Sequence, residues 1–193
     1  MSELSGKKQG MERLRLANEA ERGGIMFKED NEKIRNRILK AVEGFSDEQL
    51  NDKPAQGKWS AMQVLDHLQM MENVIAKNIS KELERETSHK AVKKPIQLTV
   101  SRAIKVKAPS FTKPSEDFIK LETMKDKLAA SRQLLNGIYD NAPEASLRSK
   151  SLPHPVFGKV PLMQWFPFVG LHEKRHFKQL EDVLSEINGE KKQ

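Results

Sequence analysis

Apolar residues recur every three or four positions in four stretches of this chain. In the first stretch Ile34, Ile38 and Val42 are four residues apart, which places them on one face of a helix. The first, third and fourth stretches end near a glycine, proline or asparagine, residues that commonly follow a helix. The predicted helices span approximately residues 29–43, 60–83, 115–139 and 161–187. The pattern therefore predicts an all-α protein, a four-helix bundle.

Local signals mark where the second and third helices begin. Ser60 and Gln63 have the spacing of a capping box, in which each side chain accepts a hydrogen bond from the other residue's backbone. Ser115 is the predicted N-cap of the third helix, because two acidic residues follow it and suit the first turn. Phe118 then belongs to the buried stripe of that helix.

The fourth helix carries two unusual residues. Pro161 suits its first turn, but Pro167 lies inside it and removes a backbone hydrogen bond, so we expect a loosened or kinked helix. Gly170 leaves room for a close neighbour. The preceding residues 151–161 contain three prolines and a glycine and predict a shaped turn rather than a helix.

A long connection, residues 87–114, joins the second and third helices. Its length suits a crossover between bundle helices that are not hairpin neighbours, whereas its residues 97–107 fit a short helix or an extended segment equally well. We expect the bundle to occupy residues 26–189. Residues 1–25 are predicted to be a flexible appendage, and residues 190–193 a polar tail.

The composition indicates an amphipathic-helix protein rather than a membrane protein. Apolar residues make up 37% of the 193 residues and charged residues 32%, and no run of about 18 apolar residues exists. The first 22 residues are polar and carry both signs of charge, so we expect no signal peptide and a cytoplasmic location. With no cysteine in the chain, a metal site would have to use imidazole, carboxylate and water.

The net charge of +7 is concentrated in one region. Residues 81–113 contain nine basic residues and three acidic ones, a net charge of +6. Such a stretch could bind nucleic acid or another anion, or it could be a solvated connection with a basic bias. We expect the second, because the stretch has a single aromatic residue, Phe111, rather than aromatic residues interleaved with its basic ones for base stacking, and it has no recognisable nucleic-acid motif.

Three of the five histidines lie on predicted inward faces. His172 and His176 are four residues apart on the fourth helix, so their rings project from the same side. His67 lies on the apolar stripe of the second helix, three residues after Val64 and four before Met71. A buried imidazole needs a partner. We interpret the three inward histidines as ligands that share one divalent ion. A hydrogen-bond network among protein groups is the alternative.

The predicted ligands leave coordination positions open for water or substrate, the arrangement of a reactive site. Nitrogen ligands without thiolate suit Zn²⁺, Ni²⁺, Fe²⁺ or Mn²⁺. Gln179 and Glu173 are candidates for orienting a ligand or flanking the pocket, although Glu173 is expected to face solvent more readily. His154 could line the pocket mouth, although we expect a simple turn residue, and Trp165 is a further pocket candidate. The catalytic residues are unknown.

His172 to His176 also match the spacing of the His-Glu-x-x-His motif of metalloproteases. A protease of that kind needs a third ligand downstream. No histidine follows His176, so an acidic residue would have to serve. We keep the protease as an alternative.

Three short motifs together resemble the DinB/YfiT-like superfamily. They are Lys-Trp-Ser-Ala-Met-Gln-Val-Leu-Asp-His-Leu at residues 58–68, His-Pro-Val-Phe-Gly at 154–158, and His-Glu-Lys-Arg-His-Phe-Lys-Gln at 172–179. The resemblance implies a four-helix bundle with a long crossover between helices 2 and 3, often dimeric. It also implies a divalent metal held by three histidines, which map onto His67, His172 and His176.

Characterised relatives in that superfamily include S-transferases that use the thiols bacillithiol or mycothiol, and many members have no known reaction. The sequence therefore predicts a metal-dependent enzyme that transfers a small thiol to an electrophile. A metal-dependent hydrolase and a non-catalytic stress-response protein are the alternatives. The expected partners are a small-molecule substrate and a second copy of the chain, and neither a membrane nor nucleic acid is expected.

Overall fold

The computed structural model describes residues 24, 26–101 and 112–189. Four long helices form the bundle: α1 (26–42), α3 (Ala61–Glu84), α4 (Leu121–Asn141) and α6 (Leu162–Ile187). The connections contain the short helices α2 (Asp47–Asn51) and α5 (Glu144–Ser149), a 3₁₀ helix (Ile96–Val100) and the strands β1 (Ser151–His154) and β2 (Gly158–Pro161). The predicted four-helix bundle is confirmed. The predicted flexible appendage and polar tail lie almost wholly outside the described residues.

Two apolar clusters, one at each end of the bundle, show how the helices run. One cluster joins Val42 near the end of α1 to Met62 at the start of α3 and Met124 at the start of α4. The other joins Ile79, late in α3, to Leu135, late in α4. Helix α1 is thus antiparallel to α3, and α3 is parallel to α4. Two consecutive parallel helices require a long crossover, which residues 85–120 supply.

The capping box of α3 is present as predicted. Ser60 Oγ accepts from the Gln63 backbone N–H at 3.1 Å, and Gln63 Oε1 accepts from the Ser60 backbone N–H at 3.1 Å. Two of the four unpaired N–H groups at this helix start are satisfied locally, so the signal needs no tertiary contact to act.

The start of α4 was predicted wrongly. The helix begins at Leu121 rather than near Ser115, and Phe118 is 56% exposed rather than buried. Side chains from helix α2 bind the backbone that leads into α4. Asp47 Oδ1 accepts from Leu121 N at 2.7 Å, and Asn51 Oδ1 accepts from Ile119 N at 3.1 Å. A distant carboxylate therefore takes the capping role that the sequence assigned to a local serine.

The turn predicted at residues 151–161 is a β-hairpin, with Ser151 paired to Pro161 and His154 paired to Gly158. Gly158 has a φ of +67°, a left-handed conformation that favours glycine at this corner. The hairpin leads directly into α6 and places His154 beside that helix.

Helix α6 continues through Pro167 without a break. It also approaches α1 closely, as the glycine in its sequence predicted. A Cβ atom built on Gly170 would lie 2.1 Å from Asn31 Oδ1, and Asn31 Nδ2 donates to the Phe166 carbonyl at 3.0 Å. Within residues 24, 26–101 and 112–189, no helix has the length and apolarity needed to span a bilayer.

Candidate metal centre

The imidazoles of His67, His172 and His176 converge between α3 and α6. Their ring centroids are 5.3 Å (67 to 172), 4.7 Å (67 to 176) and 4.5 Å (172 to 176) apart. One ring nitrogen from each residue lies within 4.8 Å of the other two. Two helices thus bring together three residues that the sequence placed on inward faces.

Hydrogen bonds orient two of the three rings. Nδ1 of His67 lies 2.8 Å from the Thr112 carbonyl, which can only accept, so this nitrogen carries the proton. Nδ1 of His176 lies 3.0 Å from Gln179 Oε1, the position that the sequence predicted for this amide. In both tautomers Nε2 is the ring nitrogen that carries the lone pair. Three close imidazoles, two of them in tautomers set by these hydrogen bonds, are a donor set that fits a divalent metal ion.

The surroundings favour the neutral form of His67 and His172. Burial lowers the pKa of His67, and the hydrogen bond to Thr112 opposes that effect. Burial and the nearby His176 and His67 lower the pKa of His172 well below 6.5, its ordinary value. Neutral imidazole is the form that binds metal, so the site is ready to do so at neutral pH.

Aromatic side chains surround the three rings. Trp59 lies 5.1 Å from His67 between ring centroids, and Phe168 stacks on His172 at 6.3 Å. His154 lies 5.1 Å from Phe168, the ring that also stacks on His172. The hairpin histidine therefore shares an aromatic neighbour with the histidine cluster.

His154 is held by its own turn. Its Nδ1 accepts from the backbone N–H groups of Val156 at 3.1 Å and Phe157 at 3.3 Å, so the ring proton is on Nε2. Burial lowers the pKa of His154. Trp165, the other predicted pocket residue, is buried, and its indole N–H donates to the Val160 carbonyl at 3.3 Å. Trp165 is a core residue that supports His154 from 5.7 Å.

Glu173 does not face solvent as expected. It is 1% exposed, and its Oε1 accepts from Arg35 Nε at 2.8 Å and from Arg132 Nη2 at 3.1 Å. Successive residues on a helix are turned by about 100°, so Glu173 points into the bundle while His172 faces α3. Burial raises the pKa of Glu173, and Arg35 and Arg132 oppose this effect.

The buried environment of Glu173 argues against the protease alternative. In the His-Glu-x-x-His motif the glutamate acts as a base beside the metal, whereas here two arginines bind it. The third imidazole comes from His67, far upstream on a different helix, rather than from a downstream ligand.

Sequence reasoning missed the partners of Glu173. Arg35, Glu72 and Arg132 are all buried, and each carries its charge on an inward helix position. Glu72 is four residues after Leu68 on the apolar stripe of α3. Charges of opposite sign at inward positions of different helices were the available signal. Thr112, whose carbonyl orients His67, had no such signal because the contact uses only its backbone.

Two clefts among the described residues lie away from the three histidines. A cleft of about 520 Å³ lies between α1 and α4 and is lined by residues that include Glu32, Arg35 and Arg132, but by none of the three histidines. A second, shallower one of about 540 Å³ lies on the outer face of α4. The candidate site is therefore defined by its donor atoms rather than by cavity volume.

A bundle of four long helices, with three imidazoles from two of them directed at one point, defines a class of helical proteins with a candidate metal centre. Residues 31–180 match the DinB superfamily, and the chain belongs to that family. This confirms the resemblance seen in the motifs. The chain is 35% identical over 146 residues to the uncharacterized protein YuaE of Bacillus subtilis (strain 168), covering 76% of this chain and 90% of YuaE.

Two solved structures share the fold. TT2238, a four-helix bundle protein, superposes with a TM-score of 0.56 at 17% identity, over 82% of this chain and 98% of its own. YfiT from Bacillus subtilis is described as a probable metal-dependent hydrolase with an unusual four-helix bundle topology. It superposes with a TM-score of 0.56 at 17% identity, over 86% of this chain and 87% of its own. The predicted bundle is thus found in both.

Proposed function

We propose that this protein is a divalent-metal-dependent enzyme that transfers a small thiol to an electrophile. The observation that supports it most is the set of three imidazole nitrogens within 4.8 Å of one another, provided by α3 and α6. Three protein ligands leave room for a substrate, unlike a closed structural site.

The chain's own residues prepare the site in two ways. The Thr112 carbonyl and Gln179 Oε1 fix the Nδ1–H tautomers of His67 and His176, so that Nε2 is the ring nitrogen that carries the lone pair in each. When bound, a divalent ion would lower the pKa of a thiol or a water molecule that it contacts and so supply a nucleophile at neutral pH.

The charges around His172 favour an anionic nucleophile. The side chains that act on its pKa electrostatically are His176, His67, Arg175 and His154, and none of them is a carboxylate. Arg175 is the cationic group among them, and a nearby cation stabilises a thiolate, which is a strong nucleophile and needs no general base once formed. Attack by water gains more from a carboxylate base, and Glu173 is occupied by arginines.

In the proposed reaction the thiolate sulfur forms a bond to an electrophilic carbon, and the leaving group departs with the electron pair of the broken bond. The thiol proton is released to solvent. The aromatic rings of Trp59 and Phe168 beside the imidazoles suit an apolar electrophile.

A metal-dependent hydrolase is the second candidate. It is favoured by the shared fold of YfiT, a probable metal-dependent hydrolase. The two candidates differ in one requirement, since a hydrolase acts without added thiol.

The test uses protein purified without a histidine tag and loaded with Zn²⁺, Ni²⁺, Fe²⁺ or Mn²⁺ in turn. Low-molecular-weight thiols and monochlorobimane are added, and the fluorescence of the thioether is followed as chloride is displaced. We expect turnover that His172→Ala abolishes and that His89→Ala retains. His89 is an exposed histidine outside the cluster, so the second variant controls for the loss of any imidazole.

The same proteins are assayed on activated esters without thiol. Ester hydrolysis that depends on His172, with no thiol transfer across the panel, would replace the transferase with the hydrolase. If no substrate turns over and metal only raises the melting temperature, the site is structural. The homodimer and the cytoplasmic location stay predictions.

A further inference from the structure

In the interior of the bundle, four charged side chains form a buried ionic cluster that consists of Arg35, Glu72, Arg132 and Glu173. Each comes from a different long helix, and none is more than 6% exposed. We propose that this cluster is a positioning device that fixes α6 against α3 and thereby sets the spacing of the three imidazoles. The proposal rests on the proposed metal centre and concerns how that centre is held.

The bonds of the ionic cluster cross-link the two helices that carry the histidines. Arg35 donates from Nη2 to Glu72 of α3 at 2.8 Å and from Nε to Glu173 of α6 at 2.8 Å. Arg132 donates from Nε to Glu72 at 2.5 Å and from Nη2 to Glu173 at 3.1 Å. Both arginines therefore bridge the same two carboxylates. Ser131 Oγ completes the arrangement by donating to Glu72 Oε2 at 2.6 Å.

The two carboxylates are close to the histidines along each helix. Glu173 directly follows His172, and Glu72 is five residues after His67, about 7.5 Å along the α3 axis. Sliding or rotation of α6 against α3 would stretch the bridges and move the imidazoles together. Planar guanidinium groups that bind two carboxylates resist such movement better than apolar contacts, which tolerate sliding.

Metal ligation needs this accuracy. Imidazole nitrogens bind a divalent ion at about 2.0–2.1 Å, and a displacement of about 1 Å is enough to spoil a site. Buried ion pairs are poor sources of net stability, because desolvation offsets most of their attraction. A cluster of four buried charges that includes Glu173, the residue next to the candidate ligand His172, is thus better explained by geometric specificity than by stability.

The experiment measures the Kd for Co²⁺ by competition with a chromophoric chelator, together with the visible absorption of the bound Co²⁺. Melting of the metal-free protein is recorded alongside. Three variants change the ionic cluster. Glu72→Gln removes one bridged carboxylate, and Ser131→Ala removes only the hydroxyl that donates to this carboxylate. Arg132→Lys keeps the positive charge but removes the planar guanidinium that binds two carboxylates. Leu147→Ala is the matched destabilising control, because it creates a cavity at a buried position of α5, outside the ionic cluster.

We expect Glu72→Gln and Arg132→Lys to weaken Co²⁺ binding tenfold or more and to alter the absorption bands, with a smaller effect in the same direction for Ser131→Ala. Leu147→Ala should lower the melting temperature but leave the Kd within about twofold. If Glu72→Gln does not fold, Ser131→Ala and Arg132→Lys decide the question.

Wild-type Kd values and spectra in the folded variants would overturn the positioning role while leaving the proposed function intact. The same holds if Leu147→Ala weakens binding as much as the cluster variants do. Absence of Co²⁺ binding by the wild-type protein would instead remove the proposed function and this inference together.

Discussion

At the scale of single residues, the acceptor of each ring proton decides which nitrogen a histidine presents. His67 depends on a backbone carbonyl and His176 on the side chain of Gln179, at 2.8 and 3.0 Å. A carbonyl oxygen of the main chain cannot be removed by substitution, whereas an amide side chain can. The two orienting contacts therefore differ in how readily they can be tested.

Gln179→Ala should weaken metal binding about tenfold, because the ring of His176 loses the partner that fixes its tautomer and orientation. Isothermal titration with Zn²⁺ or Ni²⁺ measures the change. Gln133→Ala, an exposed glutamine on α4, is the control and should bind as wild type does. Equal affinities in the two variants would show that Gln179 does not orient the ligand.

The buried state of His67 should also appear in the pH dependence of stability. Burial depresses its pKa in the folded protein below about 6.5, so the unfolded chain binds more protons in the interval between the two values. The contribution of neutral His67 to the free energy of unfolding of the metal-free protein is then fully present above about pH 6.5. It is lost as the pH falls through the folded pKa.

Urea unfolding of the metal-free protein at a series of pH values tests this, with His67→Asn as the comparison. The wild-type protein should lose stability more steeply with acid than the variant, which has no titrating ring at this position. If the free energy of unfolding falls with acid equally in the two proteins, folding does not lower the pKa of His67.

At the scale of elements, the contact between α1 and α6 depends on the absence of one methyl group. Gly170→Ala should cost about 1–3 kcal/mol, because the new Cβ would lie 2.1 Å from Asn31 Oδ1 and the helices would have to separate. Gly137 on α4 is the matched control. A Cβ there meets nothing within 4 Å, so Gly137→Ala should stabilise the protein by about 0.5–1 kcal/mol.

Chemical denaturation of both alanine variants gives the two free energies of unfolding. The double variant Asn31→Ala, Gly170→Ala should recover part of the loss, since it removes the obstructing side chain. A Gly170→Ala protein as stable as Gly137→Ala would show that α1 and α6 are farther apart than the structure has them.

At the scale of the whole molecule, the candidate metal centre and the ionic cluster join all four long helices at mid-bundle. The histidines connect α3 with α6, and the arginines add α1 and α4. An ion that binds only the folded arrangement must stabilise the entire bundle.

At a free metal concentration one hundred times Kd, the expected gain is about 2.7 kcal/mol. Differential scanning fluorimetry should show a rise in melting temperature on adding the ion and its reversal by a chelator, with no response in His172→Ala. A response of the same size in that variant would place the bound ion elsewhere.

The predictions from sequence that succeeded concern positions whose signal is local. The capping box of Ser60 and Gln63 and the inward placement of His67 follow from helix periodicity, which depends on neighbours within one or two turns. The start of α4 failed because its cap is Asp47, 74 residues away. Glu173 failed because a charged residue is assumed to be exposed until its partners are known.

Residue spacing was enough to establish that four amphipathic helices form and that three histidines lie on their inward faces, because backbone geometry converts spacing directly into a helix face. Which groups those faces meet depends on the packed fold. The bond from Arg35 to Glu173 spans 138 residues and that from His67 to Thr112 spans 45. Contacts over such distances depend on how helices pack, a property of the whole chain that no local spacing encodes.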